Sequence, residues 1–432
     1  MFKTIRNAWK IEELRKKILF TLFILLIYRL GNAVPVPFVD VALLKEHING
    51  LSNTVLGLYN VMSGSSFSHA TVFALSIQPY INASIIIQLL CIAIPALERL
   101  AKEGGEEGKK KIASITRYST VGIGLIQGLA YYLLIKNNGM LTDNGSGIWA
   151  AIVIVMTFVA GSALIMWLGE QITEFGIGNG ISIILFANIV SRVPNTVINC
   201  INNISQAPNT WWIYVLLLLG ALAMIILIVV VTNAERRIPV QYSKRVVGRK
   251  MYGGQSTHLP IKVNMSGVLP VIFAQSIASL PATIGAFCKT PAEGSFWAGF
   301  LGLFDTSSIF YAVLYFLLIV FFSYFYSTIQ FNPIEVANNL KKNGGFIPGF
   351  RAGKPTSAFI SKVLRKITLF GALYLGIIAV VPIIVGKFSA TAASAGIAIG
   401  GTSIIIVVGV ALETVKGLES QMLMRHYKGF LE

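Results

Sequence analysis

The chain has 432 residues, 55% of them hydrophobic and only 12% charged, with a mean hydropathy of +0.72, which excludes an ordinary soluble domain. Its 35 lysines and arginines outnumber 18 acidic residues, giving a formal charge of +17 that in a soluble protein would point to nucleic acid. The three cysteines, Cys91, Cys200 and Cys288, lie far apart without metal or redox spacing and read as structural filler.

Residues 1–17 are a basic stretch interspersed with Ile5, Trp9 and Leu14, read as an amphipathic helix lying in the membrane interface. The apolar run that follows is too long for a cleavable signal peptide and lacks a small-residue cleavage site. A bilayer core of about 30 Å needs roughly 20 apolar helical residues. Windows near 18–36, 72–94, 118–135, 148–169, 181–199, 211–233, 266–287, 308–329, 368–386 and 397–413 meet or approach that need. Between the first two lies 50–71, where glycines and serines alternate with apolar residues. It is too short and too polar to cross, so it is either an external loop or a short helix folded back into the protein.

All but six of the 35 basic residues fall on one side of this ten-span reading; the exceptions are Arg29, Lys45, Lys136, Arg192, Lys289 and Lys387. Positive residues stay cytosolic during insertion, so both termini are expected in the cytosol. The same sorting retains the weakest span, 181–199, which is apolar only to Val190 before Ser191-Arg192-Val193-Pro194-Asn195. Without it, every later basic segment would flip outside. The chain then divides into a first half at 18–199, an external hinge at 200–210 and a second half at 211–413. Long cytosolic loops lie at 234–265 and 330–367, with a cytosolic tail at 414–432. Two five-span halves inserted in succession have opposite orientations. If they share a fold they are inverted repeats, with a pathway at their interface.

Three spans are unusually polar. The second holds Gln78, Pro79, Tyr80, Asn82, Ser84 and Gln88; the seventh holds Pro270, Gln275, Ser276, Ser279 and Pro281; the tenth opens with Gly400-Gly401-Thr402-Ser403. Such groups must face protein or water rather than lipid. Helix packing through small residues explains one such span; three together point to a shared pathway.

The span interiors carry almost no Asp, Glu or His, which weighs against an ion-coupled secondary transporter, the alternative reading. Glu170, Glu174 and Glu413 sit at cytosolic ends, and Arg29 is placed to snorkel outward. His47, His69, His258 and His426 are scattered, with no metal or triad arrangement. The run Gly176-Ile177-Gly178-Asn179-Gly180 opens a membrane span and follows no soluble strand, so it is not a dinucleotide site. With no Walker A motif and no catalytic constellation, neither an enzyme nor a cofactor is expected. An uncharged pathway suits a passive conduit.

Several long, separately placed runs carry a family resemblance. They are Gln78-Pro79-Tyr80-Ile81-Asn82-Ala83-Ser84, Trp167-Leu168-Gly169-Glu170-Gln171-Ile172-Thr173-Glu174 leading into the glycine run, and Gln255-Ser256-Thr257-His258-Leu259-Pro260-Ile261-Lys262. After them come Phe331-Asn332-Pro333, Phe346-Ile347-Pro348-Gly349-Phe350-Arg351 and Gly400-Gly401-Thr402-Ser403. In this order they resemble the SecY family, the channel-forming subunit of the bacterial general secretory translocon, over nearly the full length.

The resemblance implies an all-α polytopic membrane protein of the bacterial inner membrane. Its ten transmembrane helices form two inverted five-helix halves around a central hourglass pore. Matched position by position, it implies an aliphatic pore ring of Ile77, Ile81, Ile181, Leu185, Ile272 and Ile406. It also implies a plug at 50–71 that includes Leu56, Gly57, Tyr59, Met62, Gly64 and Phe67. A lateral gate follows between the second, third, seventh and eighth spans, with Asn82, Ser84, Gln127, Gln275 and Ser276 as polar contacts. Spacing agrees for the ring, since Ile77/Ile81 and Ile181/Leu185 are i,i+4 pairs. The small membrane subunits SecE and SecG are implied partners. The two long loops would dock the SecA motor ATPase or the ribosome through Arg236, Arg237, Lys244, Arg245, Arg249, Lys250 and Arg351. Signal sequences and nascent polypeptides would be the cargo, and transmembrane helices would exit sideways into the lipid bilayer.

Overall fold

The computed structural model describes residues 2–50, 55–102, 104–142, 145, 147–206, 209, 211–242, 245–247, 250–252, 256–265, 267–287, 296–305, 308–388 and 397–428. The first half is built from α1 (Phe2–Lys10), α2 (Glu12–Gly31), α3 (Val41–Gly50), α4 (Val55–Met62), α5 (Gln78–Ala93), α6 (Pro95–Lys102), α7 (Gly105–Asn137), α8 (Ile148–Phe175) and α9 (Gly180–Gln206). The second half holds α10 (Trp211–Asn233), α11 (Leu269–Phe287), α12 (Phe296–Leu303), α13 (Ile309–Gln330), α14 (Pro333–Lys342), α15 (Lys354–Phe388) and α16 (Ile397–Lys428).

A helix stands in each of the ten predicted windows. Among the described residues, seven helices are long and apolar enough to cross a membrane, or eight if one bent pair counts as a span. That pair is α5 with α6, bent by 106°. Its cause is Pro95: the residue before a proline is pushed out of the helical region, and Ile94 is extended at φ −108°, ψ 113°. The α5 helix also starts six residues later than the predicted window, because the preceding segment is held in turns, with Ser76 at φ 50°. Its 16 residues reach only about 24 Å. The remaining depth is filled by non-helical backbone buried in protein, which the bilayer tolerates.

Two other expectations shift. The basic N-terminal stretch is not one interfacial helix, because it breaks at Ile11 and residues 12–17 begin the first span helix. Ala8 and Leu14 pack with Ile177 and Leu418, and the Thr4 hydroxyl donates to Glu419 Oε1 at 2.9 Å, so this end is moored to α16. Arg29 does not snorkel freely; its guanidinium donates to the Ala187 carbonyl of α9. The weak fifth span forms a helix that continues through Pro194 to Gln206.

The principal core runs through both halves, taking residues from α2, α5, α8 and α9 on one side and α10, α11, α13, α15 and α16 on the other. By contrast α10 buries only Ile228 and Val231 among its described residues, and a helix apolar all round and otherwise exposed is one made for lipid. A second core lies under α3, α7 and α8 and includes Leu56 and Phe67.

The two long loops are one structure. Strand β1 (Glu235–Tyr242) pairs antiparallel with β4 (Ser256–Lys262) and also with β5 (Gly345–Phe346), giving a three-stranded sheet in the order β4-β1-β5. Beyond it, β2 (Arg245–Val247) and β3 (Lys250–Tyr252) form a two-stranded hairpin. Alternation along β1 buries Ile238 and Val240 against Ile261, Leu340, Ile347, Ile360 and Leu364. The Phe331-Asn332-Pro333 run starts α14: Asn332 caps it by accepting from the Ile334 N–H at 3.1 Å, and Pro333 opens the first turn.

Between α8 and α9 the backbones approach so closely that a Cβ on Gly180 would run into the Gly169 carbonyl. Gly180→Ala is therefore expected to cost about 1–3 kcal/mol of stability. It should lower both the yield and the melting temperature of the purified complex; wild-type thermal stability would refute the close approach.

Candidate functional site: the contact between the halves

Five of the six implied ring residues, Ile77, Ile81, Leu185, Ile272 and Ile406, are buried in the principal core, and Ile181 packs against it half-buried. They come from α5, α9, α11 and α16, so both halves contribute. Ile77 is the N-cap residue of α5, and the Ile81 N–H donates to its carbonyl at 3.1 Å, which keeps the two side chains one turn apart. Gly169 of α8 lies behind them; a Cβ there would stand 3.5 to 3.7 Å from Ile184, Ile77 and Ile181, so α8 backs the cluster directly. A cavity of about 50 Å³ is lined by Leu185, Ile272 and Ile406 together with Val268, Val410 and Glu413. Gln330 of α13 also lines it.

The 50–71 segment is a short helix folded into the protein, as one of the two sequence alternatives had it. The α4 helix is followed by turns in which Gly64, Ser65 and Ala70 take positive φ. Leu56, Gly57, Met62 and Phe67 are buried, and Tyr59 is half-buried. Phe67 stacks on Tyr131 of α7 at 4.3 Å between centroids, and the Tyr131 hydroxyl donates to the Phe67 carbonyl. Residues 51–54 lie outside the described residues.

Met62 is where this segment meets both halves. Its Sδ accepts from Gln78 Nε2 of α5 at 2.9 Å and from Gln275 Nε2 of α11 at 3.5 Å. Its carbonyl accepts from Asn188 Nδ2 of α9 at 2.9 Å, and the same amide reaches Ser76 Oγ at 3.3 Å. Gly64 passes so near Asn188 that a Cβ would lie 3.0 Å from Oδ1, and its φ of +66° also favours glycine. Sequence reasoning missed Asn188, although a lone asparagine inside Ile181–Val190 was the signal: a buried amide in an apolar span needs a partner. The thioether's part as acceptor left no sequence trace.

Of the implied gate residues, Gln275 is buried, while Asn82, Ser84, Gln127 and Ser276 are half-buried. The side-chain oxygens of Gln127 and Gln275 are buried without a hydrogen-bond partner. The α11 helix packs against α5, α7 and α13, which joins these residues along one seam. Gln88 and Tyr326 also belong to that seam: the Tyr326 hydroxyl donates to Gln88 Oε1.

Of the basic loop residues, Arg236, Arg237 and Arg351 are exposed on the sheet platform. Arg351 sits in a turn between Gly349 and Gly353, both at positive φ, with its carbonyl held by the Thr356 hydroxyl at 2.8 Å. Arg237 Nε pairs with Glu235 Oε1 at 2.7 Å. Arg245 and Lys250 stand on the β2–β3 hairpin, and Lys244 and Arg249 lie outside the described residues. Arg236, Arg237 and Arg351 are thus gathered about one sheet to which both loops contribute, not on two independent loops.

Residues 71–415 match the SecY family model. The protein translocase subunit SecY of Streptomyces coelicolor is 45% identical, and that of Mycobacterium tuberculosis 41% identical, each over 100% of both chains. The chain belongs to the SecY family. Solved structures share its fold: a protein-conducting channel matches at TM-score 0.67 and 18% identity over 94% of this chain and 92% of its own. Sec61 in the canine ribosome–channel complex from the endoplasmic reticulum matches at TM-score 0.64 and 16% identity, with the same coverage. A further match, at TM-score 0.64, 17% identity and the same coverage, is a SecY whose plug domain stabilises the closed state and maintains a membrane seal.

This SecY-family chain is thus a multi-pass membrane protein and a protein-translocation channel. The fold is all-α and polytopic, in two halves. The family is one of conduits, not catalysts, and the ion-coupled transporter alternative falls with its membership. Replacing Ile81 and Ile181 together by glycine removes the bulk that α5 and α9 each bring to the cluster. Ion conductance of the reconstituted resting complex should rise several-fold, and an unchanged conductance would remove these two residues from the seal.

Proposed function

We propose that Ile77, Ile81, Ile181, Leu185, Ile272 and Ile406 form the gasket of the translocation pore, with the 50–71 segment as a plug resting on it. The observation that carries this reading is the packing of these aliphatic side chains, from both halves, into one core beside Met62 of α4. An apolar constriction dewets, so it resists water and ions without any charge. Branched aliphatic side chains shift rotamers around a passing chain of any sequence, whereas a charged site would discriminate.

The seam of α5 and α7 against α11 and α13 is the lateral gate in this reading, and Asn82, Ser84, Gln127, Gln275 and Ser276 line it. A signal sequence or a nascent membrane helix would part the seam and remain in lipid if transfer is favourable. The positive-inside sorting supports a bacterial inner-membrane location with both termini cytosolic.

The sheet platform with Arg236, Arg237 and Arg351, and the hairpin beyond it, would dock the SecA motor ATPase or the ribosome. Rigid positive surfaces suit ribosomal RNA phosphates and acidic protein faces alike. Support comes from the Sec61 relative solved within a ribosome–channel complex. SecE and SecG would complete the membrane assembly around this subunit. Charge reversal at Arg351, Arg351→Glu, should lower translocation at least tenfold in vesicles carrying the variant complex, with membrane abundance measured in parallel. Normal secretion would overturn the docking role.

A further inference from the structure

A group of buried polar side chains on α2, α9 and the turns before α5 belongs to none of the seam helices. Tyr28 of α2 is fully buried, and its ring stacks on Phe73 at 5.5 Å between centroids and 6° between planes, which fixes where the hydroxyl points. That hydroxyl faces the side chains of Asn32, Ser76 and Asn188. Asn188 is fully buried as well. Its Nδ2 is committed to the Met62 carbonyl at 2.9 Å and to Ser76 Oγ at 3.3 Å. Tyr28 Oη, Asn32 Oδ1, Asn32 Nδ2 and Asn188 Oδ1 are also buried, and among the described residues none of these four atoms completes a hydrogen bond.

A buried polar atom is costly unless it is paired, so four in one place call for a ligand. The two amide oxygens need donors, the Asn32 amide nitrogen needs an acceptor, and the tyrosine hydroxyl can serve as either. None of the four side chains is charged, so a metal cation would find no counter-charge on them. The guanidinium of Arg29, next to Tyr28 in the chain, is turned to the Ala187 carbonyl. An anion would satisfy the donors and leave both amide oxygens bare. Water donates twice and accepts twice, and a buried water commonly makes about three such bonds.

We propose that Tyr28, Asn32 and Asn188 bind a structural water that donates to Asn188 Oδ1 and so keeps the Asn188 amide turned toward Met62. Turned the other way, Asn188 would aim its oxygen at the Met62 carbonyl, acceptor against acceptor. A donor on that oxygen selects the orientation that grips the α4 segment. The water is in this way part of the anchorage of the plug, a consequence that rests on the plug reading proposed above.

The test uses the purified full complex. Tyr28→Phe keeps the ring on Phe73 and removes only the hydroxyl. If that hydroxyl had no partner, its removal would leave the melting temperature unchanged or raise it, because an unpaired buried polar group is a cost. Bound to water, its loss should lower the melting temperature. It should also raise the resting ion conductance of the reconstituted complex by about 5-fold, the effect of one ordinary hydrogen bond. Asn32→Ala removes another side of the same site and should act in the same direction, with the double variant adding little. A melting temperature at or above wild type in Tyr28→Phe overturns the water site, and fully additive effects in the double variant do the same.

A structure of the complex at a resolution that shows buried solvent gives the direct reading. Solvent density within hydrogen-bond distance of both Tyr28 Oη and Asn188 Oδ1 is expected; direct bonds between the side chains in its place overturn the site. The conductance measurement separates this inference from the plug reading. Solvent density and a lowered melting temperature with an unchanged conductance leave the water site standing and overturn the plug instead.

Discussion

Where the two halves meet, aliphatic side chains from α5, α9, α11 and α16 pack into one core. If the translocating chain passes there, as proposed, the contact must be able to separate and must not leak while closed. Apolar packing meets both demands, because its cohesion comes from exclusion of water and not from directional bonds that would favour one cargo. The rest of the structure accommodates that contact. Gly169 lies directly behind Ile77 and Ile181, and Gly180 lets α8 and α9 come close enough to present Ile181 and Leu185. The α4 segment lies against the same core through Met62.

Directional bonds appear where the halves must be kept in register. Met62 gathers amides from α5 and α11, and Asn188 holds the Met62 carbonyl from α9. A thioether is a weak acceptor, so the tie orients more than it binds. On the sheet platform the logic reverses. The sheet formed by β1, β4 and β5 joins two loops far apart in sequence over a core of its own, which gives the exposed arginines a fixed spacing.

Hydropathy and charge sorting were enough to find a helix in every predicted window, including α9, where Ser191 to Asn195 obscured the signal. Window ends were less legible, because hydropathy does not register that Pro95 bends the chain or that Ser76 holds a turn. Residues 234–265 and 330–367 read only as long loops, because the pairing of β1 with β5 depends on contacts more than a hundred residues apart in the chain, which no local pattern carries. Among many isoleucines, no periodicity distinguishes Ile77, Ile81, Ile181, Ile272 and Ile406 from the others; only the family resemblance selected them. Asn188 was legible in principle, as the one amide inside the apolar run Ile181–Val190. Met62 was not, since a methionine that accepts hydrogen bonds looks like any other.

The central claim is that a translocating polypeptide passes through the aliphatic cluster at the contact of the halves. The most direct measurement is site-specific photocrosslinking from positions 81 and 406 of the complex to a secretory chain arrested midway. The account predicts strong crosslinks from both positions, one on each half, to the same short stretch of the arrested chain. Crosslinks from other spans with none from these two would contradict it and put the pathway elsewhere.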